Sequence, residues 1–131
     1  MDYNPFSLLG KTILITGASS GIGKATAIEC SKMGAKVIIT ARNVERLEQT
    51  IKQMAGSDHE YIQADLSKSE DIKKLISNLP EIDGLVNNAG ISKPTLTQFI
   101  SEEVVNDIFL VNTSGPIYLT QGLLKQKRIK N

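Results

Sequence analysis

Thr12-Ile13-Leu14-Ile15-Thr16-Gly17-Ala18-Ser19-Ser20-Gly21-Ile22-Gly23 reads as a strand that turns sharply and runs into a helix. Residues 12–16 are apolar and β-branched, the composition of a strand covered on both faces. Three glycines follow at the strand-to-helix junction. A bound pyrophosphate needs a tight turn, bare backbone N–H groups and the positive end of a helix, and this junction offers all three. Gly17, Ala18, Ser19, Ser20, Gly21, Ile22 and Gly23 are therefore candidates for a dinucleotide cradle. A P-loop is excluded. If Gly23-Lys24 closed the G-x-x-x-x-G-K-[ST] pattern, its first glycine would fall on Ala18 and its hydroxyl residue on Ala25. A bare tight turn is the bland alternative, and the elements on either side argue against it.

Working outward, two periods alternate along the chain. Val37 to Thr40 is a second apolar run, and Gly34 before it is a helix-stop signal that closes a helix over 23–33. Val44, Leu47, Ile51 and Met54 recur at steps of three or four and predict a second helix. Tyr61 to Ala64 supplies a third strand. Ser67-Lys68-Ser69-Glu70 has capping-box spacing ahead of a third helix carrying Ile72, Leu75, Ile76 and Leu79. Leu85-Val86-Asn87-Asn88 is the fourth run, after which Ser101 is placed to cap one long helix with Val104, Val105, Ile108, Phe109 and Val111. Four strand-helix units with crossovers of this length predict parallel neighbours wound right-handedly. The fold class is α/β, a doubly wound parallel sheet, truncated after the fourth β-α unit. One domain over residues 1–131 is expected.

Composition narrows the partners. The 131 residues include 40% hydrophobic and 22% charged residues, an ordinary globular mixture. Fifteen Lys plus Arg against fourteen Asp plus Glu give no basic excess for nucleic acid or an anionic membrane. Cys30 is the single cysteine and has no partner for an internal disulfide, and no apolar run reaches the roughly eighteen residues of a membrane span. The expectation is a cytoplasmic protein without a metal. At the end of the second strand stands Ala41-Arg42, with no acid. An acid there suits a free 2'-hydroxyl and an arginine suits a 2'-phosphate, so Arg42 favours NADP(H) over NAD(H).

Thr16 to Gly23, Asp65-Leu66, Asn87-Asn88-Ala89-Gly90 and Asn112 occur in the order that the short-chain dehydrogenase/reductases use them. The chain resembles that family from Leu8 to about Leu124, and more loosely its 3-oxoacyl-acyl-carrier-protein reductase branch. The resemblance implies NADP(H)-dependent transfer of hydride between cofactor and a small carbonyl or alcohol substrate, in a homo-oligomer. It implies that Asp65 and Leu66 meet the adenine, that Asn88, Ala89 and Gly90 let the cofactor ribose lie close, and that Asn87 supports the sheet. It also implies a catalytic part for Asn112, whose main-chain carbonyl would hold a water in a proton relay. Local physics agrees about that carbonyl: its helical partner would be the N–H of residue 116, which is Pro and has none. Gly115-Pro116 should also kink the helix.

The departures matter equally. Family members continue to a catalytic Ser and a Tyr-x-x-x-Lys pair. Here Tyr3, Tyr61 and Tyr118 are followed four residues later by Ser7, Asp65 and Gly122. A tyrosine without that lysine stays a poor acid or base near neutral pH. The expectation is a chain that binds cofactor but does not turn over, with a non-catalytic binding or assembly module as the alternative. His59 beside Gly56, Ser57 and Asp58 reads as a solvated loop residue, and the basic tail from Lys125 as a solvated helix end. Strand four is expected at the sheet edge, with apolar surface left for self-association.

Overall fold

A computed structural model describes residues 3–130. The elements, in chain order, are β1 (Thr12–Thr16), α1 (Gly21–Lys32), β2 (Lys36–Ala41), α2 (Val44–Gln53), β3 (Glu60–Gln63), α3 (Ser69–Ser77), β4 (Gly84–Val86), a 3-10 turn (Thr97–Phe99), α4 (Glu102–Phe109), a π-helical turn (Leu110–Ser114) and α5 (Gly115–Lys125). All strand pairs are parallel, in the order β3-β2-β1-β4, with Thr16 beside Thr40 and Ile15 beside Val86. This is the doubly wound sheet that the alternating periods predict.

Successive strand residues face opposite sides, so the sheet sorts its side chains into two cores. Ile13, Ile15, Val37 and Ile39 meet Ala27 and Leu47 from α1 and α2. Leu14 and Ile38 meet Ile72, Leu75 and Ile76 from α3 and Leu119 and Leu123 from α5. Gly122 lets those two helices close, since a Cβ there would overlap the Ile76 side chain.

Several local expectations change. Ser67 does not cap α3: its N–H (2.9 Å) and hydroxyl (2.7 Å) both donate to Asp65 Oδ1, and the N-cap is Lys68 without a side-chain bond. A nearby carboxylate is the better acceptor and draws the serine backward. β4 stops at Val86, because the Asn88 N–H turns to the Val86 carbonyl and the Thr16 hydroxyl. His59 is half-buried rather than solvated. Its Nδ1 accepts from the Val37 N–H at 3.1 Å, so Nε2 carries the proton and donates to the Ala55 carbonyl at 2.6 Å.

The tail is also more than a solvated helix end. The Ile82 N–H donates to the Arg128 carbonyl at 2.7 Å, and the Lys130 N–H donates to the Ile82 carbonyl at 2.9 Å, a parallel bridge at the start of β4. Asp83 locks this corner, accepting from the Thr12 N–H at 2.8 Å and pairing with Lys130 at 3.1 Å. Those contacts hold its carboxyl below the usual carboxylate range, the Thr12 N–H having the largest effect. Asn131 lies outside the described residues.

Pro116 is met by a π-helical turn. The Gly115 N–H bonds to the Leu110 carbonyl five residues back, so the helical run widens by one residue where proline cannot donate. Gly115 is buried against α3's approach segment: a Cβ there would come within 2.6 Å of the Leu66 carbonyl.

Candidate functional site

The carboxyl ends of β1 and β4 are tied by two side chains, those of Thr16 and Asn88. The Thr16 hydroxyl accepts from the N–H groups of Asn88 (3.0 Å) and Ala89 (2.9 Å), while Asn88 Nδ2 donates back to the carbonyls of Thr16 and Gly17 (both 3.2 Å). Two glycines make this approach possible. Gly17 has φ +65° and passes so close that a Cβ would lie 2.7 Å from Ala89 Cα, and a Cβ on Gly23 would overlap the Gly17 carbonyl oxygen. Only glycine tolerates both the left-handed backbone and the contact.

Beyond this knot the loop opens. Ser20 is the N-cap of α1, but its side chain makes no capping bond and the first turn carries no acid. The positive end of a twelve-residue helix thus borders the cleft with no acid in its first turn and no side-chain cap. Such an arrangement suits an external anion.

The cleft measures about 780 Å³. It is lined by the glycine loop (Gly17, Ser19, Ser20, Gly21 and Ile22) and by Asn88, Ala89 and Gly90, which the Thr16 hydroxyl holds beside that loop. Thr40, Ala64, Leu66 and Val111 add small or apolar groups that would accept the face of a base. Arg42, Asn43, Arg46 and Asp65 supply the charged and amide part of the lining. Asn43 Oδ1 accepts from the Arg46 N–H at 2.9 Å and starts α2, and Gln63 Nε2 holds the Arg42 carbonyl at 2.9 Å. Asp65 is raised by burial, but the hydroxyl and N–H of Ser67, with Arg42 and Lys68 nearby, outweigh that and hold its carboxyl below the usual range. Asp65 is therefore an anion at neutral pH.

Three expected residues lie apart from this lining. Ala18 is fully buried in the core, its carbonyl taken by the Thr50 hydroxyl at 3.0 Å. Gly23 is buried beneath the loop and shapes it. Asn112 grips the main chain past Gly90: its Oδ1 accepts from the Ile91 N–H at 2.7 Å and its Nδ2 donates to the Ile91 carbonyl at 2.9 Å. Sequence reasoning missed the Thr16 hydroxyl, Val111 and Arg46. Arg46 had a signal, since Asn43 is an N-cap residue type and the cap places residue 46 in the first helical turn.

Residues 11–130 match the family model for short chain dehydrogenases. The chain belongs to the short-chain dehydrogenase/reductase family. Within this family it is 38% identical over 122 residues to the 11-beta-hydroxysteroid dehydrogenase-like 2 of Arabidopsis thaliana, covering 87% of the chain and 40% of that relative. A crystal structure described as that of a candidate betaketoacyl-ACP reductase superposes with TM-score 0.83 at 33% identity, covering 92% of this chain and 52% of the other. A candidate short chain dehydrogenase of Escherichia coli CFT073, solved in complex with NADPH, gives TM-score 0.83 at 32% identity, with 94% and 55% covered. The chain spans about half the length of these relatives. Its cleft has features that fit a nicotinamide dinucleotide: an uncapped helix end, a glycine cradle, small and apolar lining groups and two arginines. Among the described residues no helix is long and apolar enough to cross a membrane, and no cluster of three or more His, Cys, Asp or Glu could hold a metal.

Proposed function

We propose that the chain is the NADP(H)-binding part of an oxidoreductase of the carbonyl reductase or alcohol dehydrogenase type. One observation carries the choice of NADP(H): the residue that follows β2 is Arg42, it lines the cleft, and neither the end of β2 nor the loop to α2 carries an acid. A guanidinium attracts a 2'-phosphate that a carboxylate would repel. When bound, the cofactor supplies or accepts hydride. The chain's own residues bind its pyrophosphate at Gly17, Ser19, Ser20, Gly21 and Ile22, seat the adenine against Leu66 and Asp65, and pass the ribose over Asn88, Ala89 and Gly90. Asn112 fixes the loop beyond them and offers the carbonyl of a proton relay.

Titration of the pure chain with NADPH and NADH tests this. The wild type is expected to prefer NADPH, and Arg42→Asp to reverse the preference. Tighter binding of NADH before mutation removes the basis for the NADP(H) reading.

The substrate is a small carbonyl or alcohol, 3-oxoacyl-acyl-carrier-protein among the classes, in keeping with relatives named for a hydroxysteroid and for a ketoacyl group. A cytoplasmic, oligomeric protein is the matching setting. Phe109 and Ile117, about 60% exposed on the outer face of α4 and α5, are apolar surface for self-association, which sedimentation at several concentrations would reveal.

A second reading is that these 131 residues, which contain no Tyr-x-x-x-Lys, bind cofactor without turning over by themselves. Hydride transfer to a ketone needs a group to protonate the developing alkoxide. The chain alone is expected to show no NADPH-dependent reduction above background, and measurable turnover would remove this reading.

A further inference from the structure

Three successive peptide units carry the chain from β1 into the glycine loop, and the protein holds them unequally. In the first, the Thr16 carbonyl accepts from Asn88 Nδ2 at 3.2 Å and the Gly17 N–H donates to the Thr40 carbonyl at 2.9 Å. In the second, the Gly17 carbonyl accepts from the same amide at 3.2 Å and the Ala18 N–H donates to the same carbonyl at 3.4 Å. Both units are held at each end, by the residue pair after β4 on one side and by β2 on the other. The third unit, Ala18–Ser19, is held at one end only. Its carbonyl accepts from the Thr50 hydroxyl at 3.0 Å, and among the described residues nothing accepts from its N–H.

Thr50 stands on α2 and is fully buried. Its hydroxyl also lies 3.1 Å from the Arg46 carbonyl, but that carbonyl has the helical N–H of residue 50 as a partner of its own. The Ala18 carbonyl has no second donor among the described residues, so the Thr50 hydroxyl decides where it points. The peptide bonds of the described residues are all trans, and in a trans peptide the carbonyl and the N–H point opposite ways. A carbonyl turned toward buried Thr50 therefore turns the Ser19 N–H away from the core. Ser19 is half-buried and lines the cleft, and Thr50 does not.

Backbone N–H groups that leave water are almost always paired, so one left over at a cleft is a donor kept for a ligand. Its surroundings select the ligand chemistry. Ser19 stands directly ahead of Ser20, the N-cap of α1 without a side-chain bond, and the first turn of that helix carries no acid. An N–H beside the positive end of a helix is complementary to a phosphate oxygen.

We infer that Thr50 is a positioning residue: by holding the Ala18 carbonyl toward α2, its hydroxyl aims the Ser19 N–H into the cleft, at a phosphate oxygen of the bound dinucleotide. This rests on the dinucleotide-binding part of the reading above and is independent of the choice between NADPH and NADH.

Amide spectra of the full chain test the donor without any substitution. Adding NADPH or NADH should move the Ser19 amide proton downfield, and a Ser19 amide that stays in place while those of Gly21 and Ile22 move overturns the inference. Equilibrium binding of NADPH, NADH and adenosine 2'-monophosphate to wild type, Thr50→Val and Thr50→Ser, with thermal unfolding of each, tests the positioning. Thr50→Val keeps the shape and removes the hydroxyl. It should weaken NADPH roughly tenfold under conditions where the chain is folded, and Thr50→Ser should restore most of the affinity. Equal losses for NADPH and NADH with adenosine 2'-monophosphate unchanged assign the contact to the pyrophosphate, and losses for NADPH and adenosine 2'-monophosphate alone assign it to the 2'-phosphate. A merely structural role lowers the unfolding temperature and leaves the affinity of the folded chain at the wild-type value. That result overturns the inference and leaves the cofactor reading standing, whereas a wild type that binds neither NADPH nor NADH overturns both.

Discussion

The first two strands and the helical run from α4 to α5 are both rich in apolar residues, yet they are buried differently. In β1 and β2 every residue from Ile13 to Thr16 and from Val37 to Thr40 is buried. In α4 no residue is buried, and in α5 only Gly115, Leu119 and Leu123 are. A central strand is covered on both faces by the helices its own crossovers create, so composition and burial agree. A helix can offer the sheet only one stripe, and here Leu119 and Leu123 fill it while Phe109, Ile117 and Tyr118 face outward. Burial therefore follows topology, and apolar composition alone does not report it.

Four measurements break or sharpen that contrast. The largest effect should come from Leu119→Ala, which removes a fully buried side chain and should cost about 2–5 kcal/mol in denaturant unfolding. Phe109→Ala, at a side chain 60% exposed, should stay within about 0.5 kcal/mol at low protein concentration. Equal costs would erase the distinction. Gly23→Ala comes next, since its Cβ would meet the backbone oxygen of Gly17: a loss of about 1–3 kcal/mol is expected, with NADPH binding falling alongside. Stability lost without loss of binding would show that the loop does not shape the cleft.

Smaller still is Asn112→Ala. Two partly solvated bonds to Ile91 should amount to about 1 kcal/mol, read most clearly as faster amide exchange at Ile91. The smallest effect concerns pH. The folded state holds the Asp83 carboxyl below its ordinary value, so its contribution is present above about pH 3.9 and disappears as pH falls through the lower folded value. Wild type should lose stability more steeply than Asp83→Asn below about pH 4, and parallel acid limbs would show that the Thr12 and Lys130 contacts contribute nothing.

Sequence reading reaches furthest where local chemistry and topology coincide. Thr12 to Thr16 has the bounds read from its β-branched run, and the glycine loop stands at the strand-helix junction where its residues place it. It falls short where a distant group competes. Ser67 has capping-box spacing, but Asp65 takes both its donors. His59 sits in a loop composition, yet Val37 and Ala55 occupy its two nitrogens, and only the pairing of β2 with β3 brings them together. Of the cleft, the residues following strands were legible because strand ends converge in this topology. Arg46 and Val111 belong to helices, and whether a helical residue reaches the cleft depends on how its helix is rotated.

Rotation is what the wide turn at Leu110–Ser114 sets. One residue more than an α-turn requires advances the helix by about 100°. Upstream of it the run is tied to the loop after β4 through the Lys93–Asp107 pair, and Asn112, within the turn, grips the same loop. Downstream it is indexed to the sheet, through Leu119 and Leu123. The two indices are out of step by that single residue, and the turn acts as the angular coupling between them. Deleting one residue of the turn together with Pro116→Ala would give a more regular helix, but with Leu119 and Leu123 swung away from Leu14 and Leu75. The irregular helix is the one that can engage the sheet and the cleft at once.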